Sequence, residues 1–159
     1  MNHALENTMY DVAQLFLLPT LILIAVLFLF AFWCLGEFAM IAWRRRSDGG
    51  RPLIRAFQAN RSLTDDELDL QAHTLLEAPR VASRVTPMLG LVATMIPMGP
   101  ALKSLSDGDL AQVSHNLTVA FSAVILALLA ASITFWVTNV RRRWLAEEIV
   151  HIARLRKEG

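Results

Sequence analysis

Three features of the sequence predict an all-α membrane protein with three transmembrane helices, the N-terminus outside and the C-terminus in the cytoplasm. Of its 159 residues 55% are hydrophobic, with a mean hydropathy of +0.44, more apolar than an ordinary soluble domain of this length. Three apolar runs are each long enough to cross a hydrocarbon core of roughly 30 Å. The basic residues are also segregated. Of 15 Lys and Arg, 14 fall within residues 44–84 or 141–159, leaving Lys103 alone. The positive-inside rule assigns those two segments to the cytoplasm.

Taken in order, residues 1–14 form an extracytoplasmic N-terminal segment. Its lack of a basic n-region and the length of the following apolar run argue against a cleavable signal peptide. Residues 15–43, LFLLPTLILIAVLFLFAFWCLGEFAMIAW, make the first span. It is longer than the bilayer needs, so it tilts or projects. Residues 44–84 form a cytoplasmic segment opened by a flexible break, Ser47 to Gly50. Within it, SLTDDELDLQAHTLLEAPR reads as an amphipathic helix. Thr64 and Glu67 have capping-box spacing, and Asp65 and Asp66 suit a helix N-terminus. Leu68, Ala72, Leu75 and Leu76 form the apolar stripe, and Pro79 limits the far end. Residues 85–103 are the second span, 104–113 an outer loop with acidic Asp107 and Asp109, and 114–140 the third span. Residues 141–159 form a cytoplasmic C-terminal helix, with Trp144, Leu145, Ile149, Ile152 and Leu155 on one side and Glu147 and Glu148 on another. Trp43, Trp136 and Trp144 fall near the inner interface, where amphipathic rings are favoured.

Composition excludes several chemistries. A formal net charge of +1 gives no global attraction to nucleic acid. Cys34 has no intrachain partner, and a single Cys lacks metal-site spacing. There is no phosphate-cradling Gly loop followed by Lys, no HExxH and no CxxC. His3, His73, His115 and His151 fall on different predicted elements and read as solvent or interface residues. No cofactor or metal is expected, and no catalytic residue.

What remains is polarity inside the membrane. The second span carries Pro87, Gly90, Thr94, Pro97, Gly99 and Pro100, an odd set for a lone lipid-facing helix. Pro and Gly are tolerated in a span where neighbours satisfy the freed backbone groups. Pro87 suits a helix start, Gly90 permits close packing, and Pro97 and Pro100 bend or terminate the outer half. In the third span Ser114, Thr118 and Ser122 recur every four residues and share one face. Ala123, Ala127 and Ala131 recur at the same period and allow a close helix approach. Such hydroxyls either line a polar path or bond back to their own helix carbonyls. Glu37 is the one acid inside a predicted span, and an intramembrane carboxylate is a functional candidate by default. Its nearness to the basic inner end equally suits a structural pair with an arginine there. No acid lies at mid-membrane, so a proton-carrying carboxylate would have to come from a partner.

These spans resemble the MotA/TolQ/ExbB proton channel family. The resemblance rests on Pro87, Gly90-Leu91 and Ala93-Thr94-Met95 in the second span, and on Phe121-Ser122-Ala123 with Ile125-Leu126 in the third. It covers roughly residues 80 to 150, including the hairpin IPMGPALKSLSDGDLAQVSHNL, which is similar to that of compact ExbB-like and TolQ-like members. Ala93 and Ile125 depart from family glycines. The cytoplasmic region is short beside that of the flagellar members, which argues against coupling to a flagellar rotor. The resemblance implies a homopentameric bundle around a central pore in the inner membrane, occupied by a single-span ExbD/TolR/MotB-like partner dimer that carries a membrane Asp. It implies that Thr94 and Ser122, with Thr118 and Ser114, line the ion path, and that ion flow drives rotation or mechanical work on an envelope target. The alternative is a non-conducting membrane scaffold using the same small-residue packing.

Overall fold

The computed structural model describes residues 2–45, 51–61 and 63–158, apart from the side chains of 2–7 and 158. Arg46, the Ser47–Gly50 break and the His3 side chain lie outside the described residues. Every regular element among those described is helical: α1 (Asn2–Leu15), α2 (Leu17–Arg45), α3 (Pro52–Ala59), α4 (Asp65–Ser106) and α5 (Leu110–Glu158). Three stretches, Thr8–Arg45, Asp65–Ser106 and Leu110–Lys157, are long and apolar enough to cross a membrane, well beyond the ~20 residues a span needs.

Helix boundaries follow local chemistry. Residue 16 is a turn between α1 and α2. Pro19 explains it, because it has no N–H to return to the Leu15 carbonyl, and its ring crowds that carbonyl. Thr20 restarts the ladder, with its N–H and its Oγ1 both donating to the Phe16 carbonyl, at 3.1 and 2.7 Å. α4 begins in the expected capping box: the Glu67 N–H donates to Thr64 Oγ1 at 3.3 Å, and the Thr64 N–H donates to Glu67 Oε2 at 2.8 Å.

Two expectations are corrected in α4. Pro79 does not end the first part of the helix, and Pro97 and Pro100 do not terminate its far end; α4 runs unbroken from Asp65 to Ser106. Proline costs one rung and some crowding, but packing holds the chain on both sides of Pro79. Leu68, Ala72 and Leu76 are buried before it and Ala82 after it. Leu75, placed in the apolar stripe, is exposed. The helix stops instead at Gly108, whose φ of 77° closes a left-handed end. There the Asp109 N–H donates to the Ser104 carbonyl at 2.9 Å and the Gly108 N–H to the Leu105 carbonyl at 3.2 Å. Asp109 Oδ1 then accepts from the Gln112 N–H at 3.0 Å, capping α5. The expected outer loop shrinks to residues 107–109, and the third span and C-terminal helix are one helix, α5.

Packing divides the chain into two units, Met1–Phe30 with Ser83–Ser132, and Ala31–Ala82 with Ile133–Gly159. In the first, Ile24, Ala93, Ala123 and Ala127 form the core, flanked by Leu21 and Leu89. Small residues dominate it, as expected where helices associate through close backbone approach. In the second, Leu53, Phe57, Leu68, Ala72, Leu76, Leu145 and Ile152 pack together. Helix α3 went unanticipated in the sequence. It starts on Pro52, which suits a first helical turn, and contributes Leu53 and Phe57 to that core.

Candidate functional site

In the first unit α4 and α5 meet without intervening side chain at Gly90. A Cβ built there would lie 2.9 Å from Ala127 Cβ and 3.5 Å from Val124 Cγ2. Ala120, Ala123, Ala127, Ala130 and Ala131 are buried, a single face at helical period. Ala93 and Pro97 are buried on α4, with Pro87 half-buried.

The candidate hydroxyls lie off these packed faces. Ser114, Thr118 and Ser122 are exposed along the far side of α5, and Thr94 is half-buried at the flank of α4. Thr118 Oγ1 donates to the Ser114 carbonyl and Ser122 Oγ to the Thr118 carbonyl, each at 2.8 Å. Thr94 Oγ1 donates to the Leu91 carbonyl at 2.7 Å. In the isolated chain, then, these three donate inward to their own helices. Each oxygen keeps acceptor capacity, and a χ1 change would turn the donor outward. The stripe is continuous, polar and left exposed among the described residues.

Other buried polar groups gave weaker signals in the sequence. Thr20, Thr86, Thr134 and Thr138 are buried, and Thr138 Oγ1 donates to the Thr134 carbonyl at 2.6 Å. Asn116 Nδ2 is buried without a hydrogen-bond partner, while Gln112 Nε2 donates to Asn116 Oδ1 at 3.4 Å. Threonines in an apolar run look alike whichever way they face, so nothing in the spacing separated these from the exposed set.

The second unit carries a set of paired charged groups. Glu37 Oε1 accepts from Arg141 Nη2 at 3.2 Å, with the Glu37 side chain 42% exposed. Arg45 Nη2 lies 3.3 Å from Glu147 Oε2, and its guanidinium stands over the Trp144 ring at 4.7 Å. Trp144 in turn stacks on Phe38 at 5.0 Å. Glu148, placed by the sequence on a different side from the apolar stripe, is buried, only 2% exposed. It lies three residues past Leu145 and four before Ile152, on the buried stripe of α5. Its Oε2 accepts the Leu53 N–H at 2.9 Å, so a side chain of α5 caps α3. Burial pushes the Glu148 carboxyl above its ordinary value, opposed by the Leu53 N–H, Arg45, the Ile54 N–H and Arg51. Among the described residues no three His, Cys, Asp or Glu side chains gather as a metal site.

The model of the MotA/TolQ/ExbB proton channel family matches residues 56–154, more than half of the chain. The chain belongs to that family. Neither the curated proteins nor the solved structures compared with it include a match. As a MotA/TolQ/ExbB member with three long apolar helices, it is a multi-pass membrane protein of the proton-channel type. The match takes in Thr94, Ser114, Thr118 and Ser122, the Gly90–Ala127 contact and Glu148. It begins 24 residues before the region the motifs alone marked out, within α3. Glu37 and all of α1 and α2 lie outside it.

Proposed function

We propose that this protein is an ion-conducting motor subunit of the inner membrane that catalyses no covalent reaction. Five copies surround a central pore holding two copies of a single-span partner, whose membrane Asp carries protons. Ion flow turns the pentamer about the partner, which delivers work to an envelope target. The observation carrying this reading is the uncovered hydroxyl stripe Ser114, Thr118, Ser122 on the side of α5 away from its packed alanines.

The chemistry suits that role. A carboxylate in a low-dielectric pore is costly when charged. A hydroxyl donates to the ionised acid and accepts from the protonated one, so it serves both states without trapping either. Thr94 lines the path from α4 and Ser122 from α5. Gly90, Pro87, Pro97, Ala123 and Ala127 shape the wall behind them, and Glu37 pairs with Arg141 as a structural acid.

The scaffold reading draws on the inward-donating hydroxyls, which need no ion. Two measurements separate them. Native mass of the detergent-extracted complex should give five copies, with two partners when co-expressed. Thr94→Val and Ser122→Ala should cut proton flux while leaving assembly intact. A monomer or even-numbered assembly, or full flux in both variants, leaves the scaffold as the better account.

A further inference from the structure

Four prolines interrupt the α4 ladder: Pro79, Pro87, Pro97 and Pro100. Each lacks an N–H, so the carbonyl four residues earlier loses its helical donor. For Pro97 that carbonyl belongs to Ala93; for Pro100 it belongs to Ile96. The turn containing Thr94 thus lies where the helix is missing rungs, and its own bonds do not fully fix it.

The Ile96 carbonyl is answered from elsewhere. Gln14 Nε2 of α1 donates to it at 3.3 Å, across 82 residues of sequence. One turn earlier on the same face of α1, Tyr10 meets Gly99. A Cβ built on Gly99 would stand 3.3 Å from Tyr10 Cε2 and 3.7 Å from Tyr10 Cδ2, so the ring uses the space that glycine leaves. Tyr10 pairs with Gly99 and Gln14 with Ile96, so sequence order reverses between the helices. The two contacts sit on consecutive turns of an antiparallel pair. In an apolar setting a carbonyl without a donor is strongly disfavoured, which gives the Gln14 bond a specific purpose that generic packing would not.

We infer that α1 is a clasp on the proline-bearing end of α4: Gln14 replaces the hydrogen bond removed by Pro100, Tyr10 seats on Gly99, and together they position the Thr94 turn. Gln14 and Tyr10 are positioning residues, and their effect on conduction rests on the proposed role of Thr94. Existence of the clasp does not.

The sequence offers a direct probe, because Ile96–Pro97 is its single Ile–Pro pair. Labelling Ile at the carbonyl carbon with 13C and Pro with 15N gives one solid-state NMR cross-peak that reports the Ile96 carbonyl in the full chain in bilayers. Gln14→Leu should move that resonance upfield as the hydrogen bond is lost, and should lower proton flux several-fold in proteoliposomes of the complex purified from native membranes. Pro100→Ala returns an N–H to the helix. The double variant Gln14→Leu/Pro100→Ala should therefore restore both the resonance and the flux, a rescue that a merely destabilised fold would not give. An unmoved resonance in Gln14→Leu, or no recovery in the double variant, overturns the clasp. Recovery of the resonance without recovery of flux overturns the positioning role. Full flux in Thr94→Val sinks the ion-path reading on which that role depends, whereas the NMR result judges the clasp independently.

Discussion

Replacing Gly90 by Ala tests the contact on which the first unit is built. The added methyl would sit 2.9 Å from Ala127 Cβ, against a preferred carbon–carbon separation of about 3.5–4.0 Å. Helices α4 and α5 must therefore separate by roughly 0.6–1 Å at this point. Ala127 has no rotamer by which to yield, and Ala93, Ala123 and Ile24 around it are fully packed. Overpacking of this kind costs about 1–3 kcal/mol, while exchanging Gly for Ala inside a helix returns about 1 kcal/mol. The net expectation is a loss of up to about 2 kcal/mol. A double-mutant cycle isolates the contact from propensity. Ala127→Gly removes the opposing methyl, so Gly90→Ala should be better tolerated in its presence, with a favourable coupling of about 1–2 kcal/mol. The assay is reversible unfolding in mixed micelles, followed by far-ultraviolet circular dichroism. If Gly90→Ala stabilises by its propensity alone and shows no coupling to Ala127→Gly, the close helix approach is refuted.

Other perturbations address the second unit. Glu148→Ala removes the acceptor of the buried Leu53 N–H and should cost about 1–3 kcal/mol, with faster amide exchange at the start of α3. Glu148 also gives a pH dependence of known sign. Its folded pKa is raised, so its contribution is present below the ordinary carboxylate value and lost as pH rises through the raised one. Wild type should therefore lose stability relative to Glu148→Gln as pH rises above the ordinary carboxylate value, and parallel unfolding curves on the two sides of that value would contradict the burial. Thr64→Ala breaks the capping box and should cost about 0.5–2 kcal/mol, read as fraying of the first turn of α4 by hydrogen exchange. Glu37→Gln should change stability by no more than about 1 kcal/mol, since the pair with Arg141 is partly exposed; a larger loss, or a loss of flux without loss of stability, would give Glu37 a role beyond that pair.

Much of the helical organisation could be read from pattern because its causes are local. Apolar run length marked the three long helices, and Thr64 with Glu67 marked the start of α4. The misses share a different cause. Pro79 should end a helix on local grounds, but tertiary packing of Leu76 and Ala82 overrides it. Helix α3 has only eight residues, too few to show a period, and its first turn is capped by a side chain 95 residues away. Glu148 was set apart from the apolar stripe with its neighbour Glu147; only its spacing from Leu145 and Ile152 hinted that it shares their buried side. Gln14 stood in a segment to which the sequence assigned only a location, and its role depends on a proline in another helix. For the candidate site, periodicity found Ser114, Thr118 and Ser122 on one face, but spacing could not say that this face would be left uncovered while Thr86 and Thr134 were enclosed.

The three-residue turn at 107–109 bears on how the protein is made. Short connections close at little entropic expense, and here the reversal carries its own instructions in Gly108 and the Asp109 cap. Helices α4 and α5 can therefore find their register as soon as both have left the ribosome, without waiting for distant sequence. The reversal carries its own closing bonds, from the Gly108 and Asp109 N–H groups to the Leu105 and Ser104 carbonyls, with Asp109 Oδ1 accepting from the Gln112 N–H as α5 begins. Lengthening the turn with flexible residues would leave every side chain of the stripe in place yet uncouple the timing of the two spans, so the earliest consequence would be seen in membrane integration during synthesis.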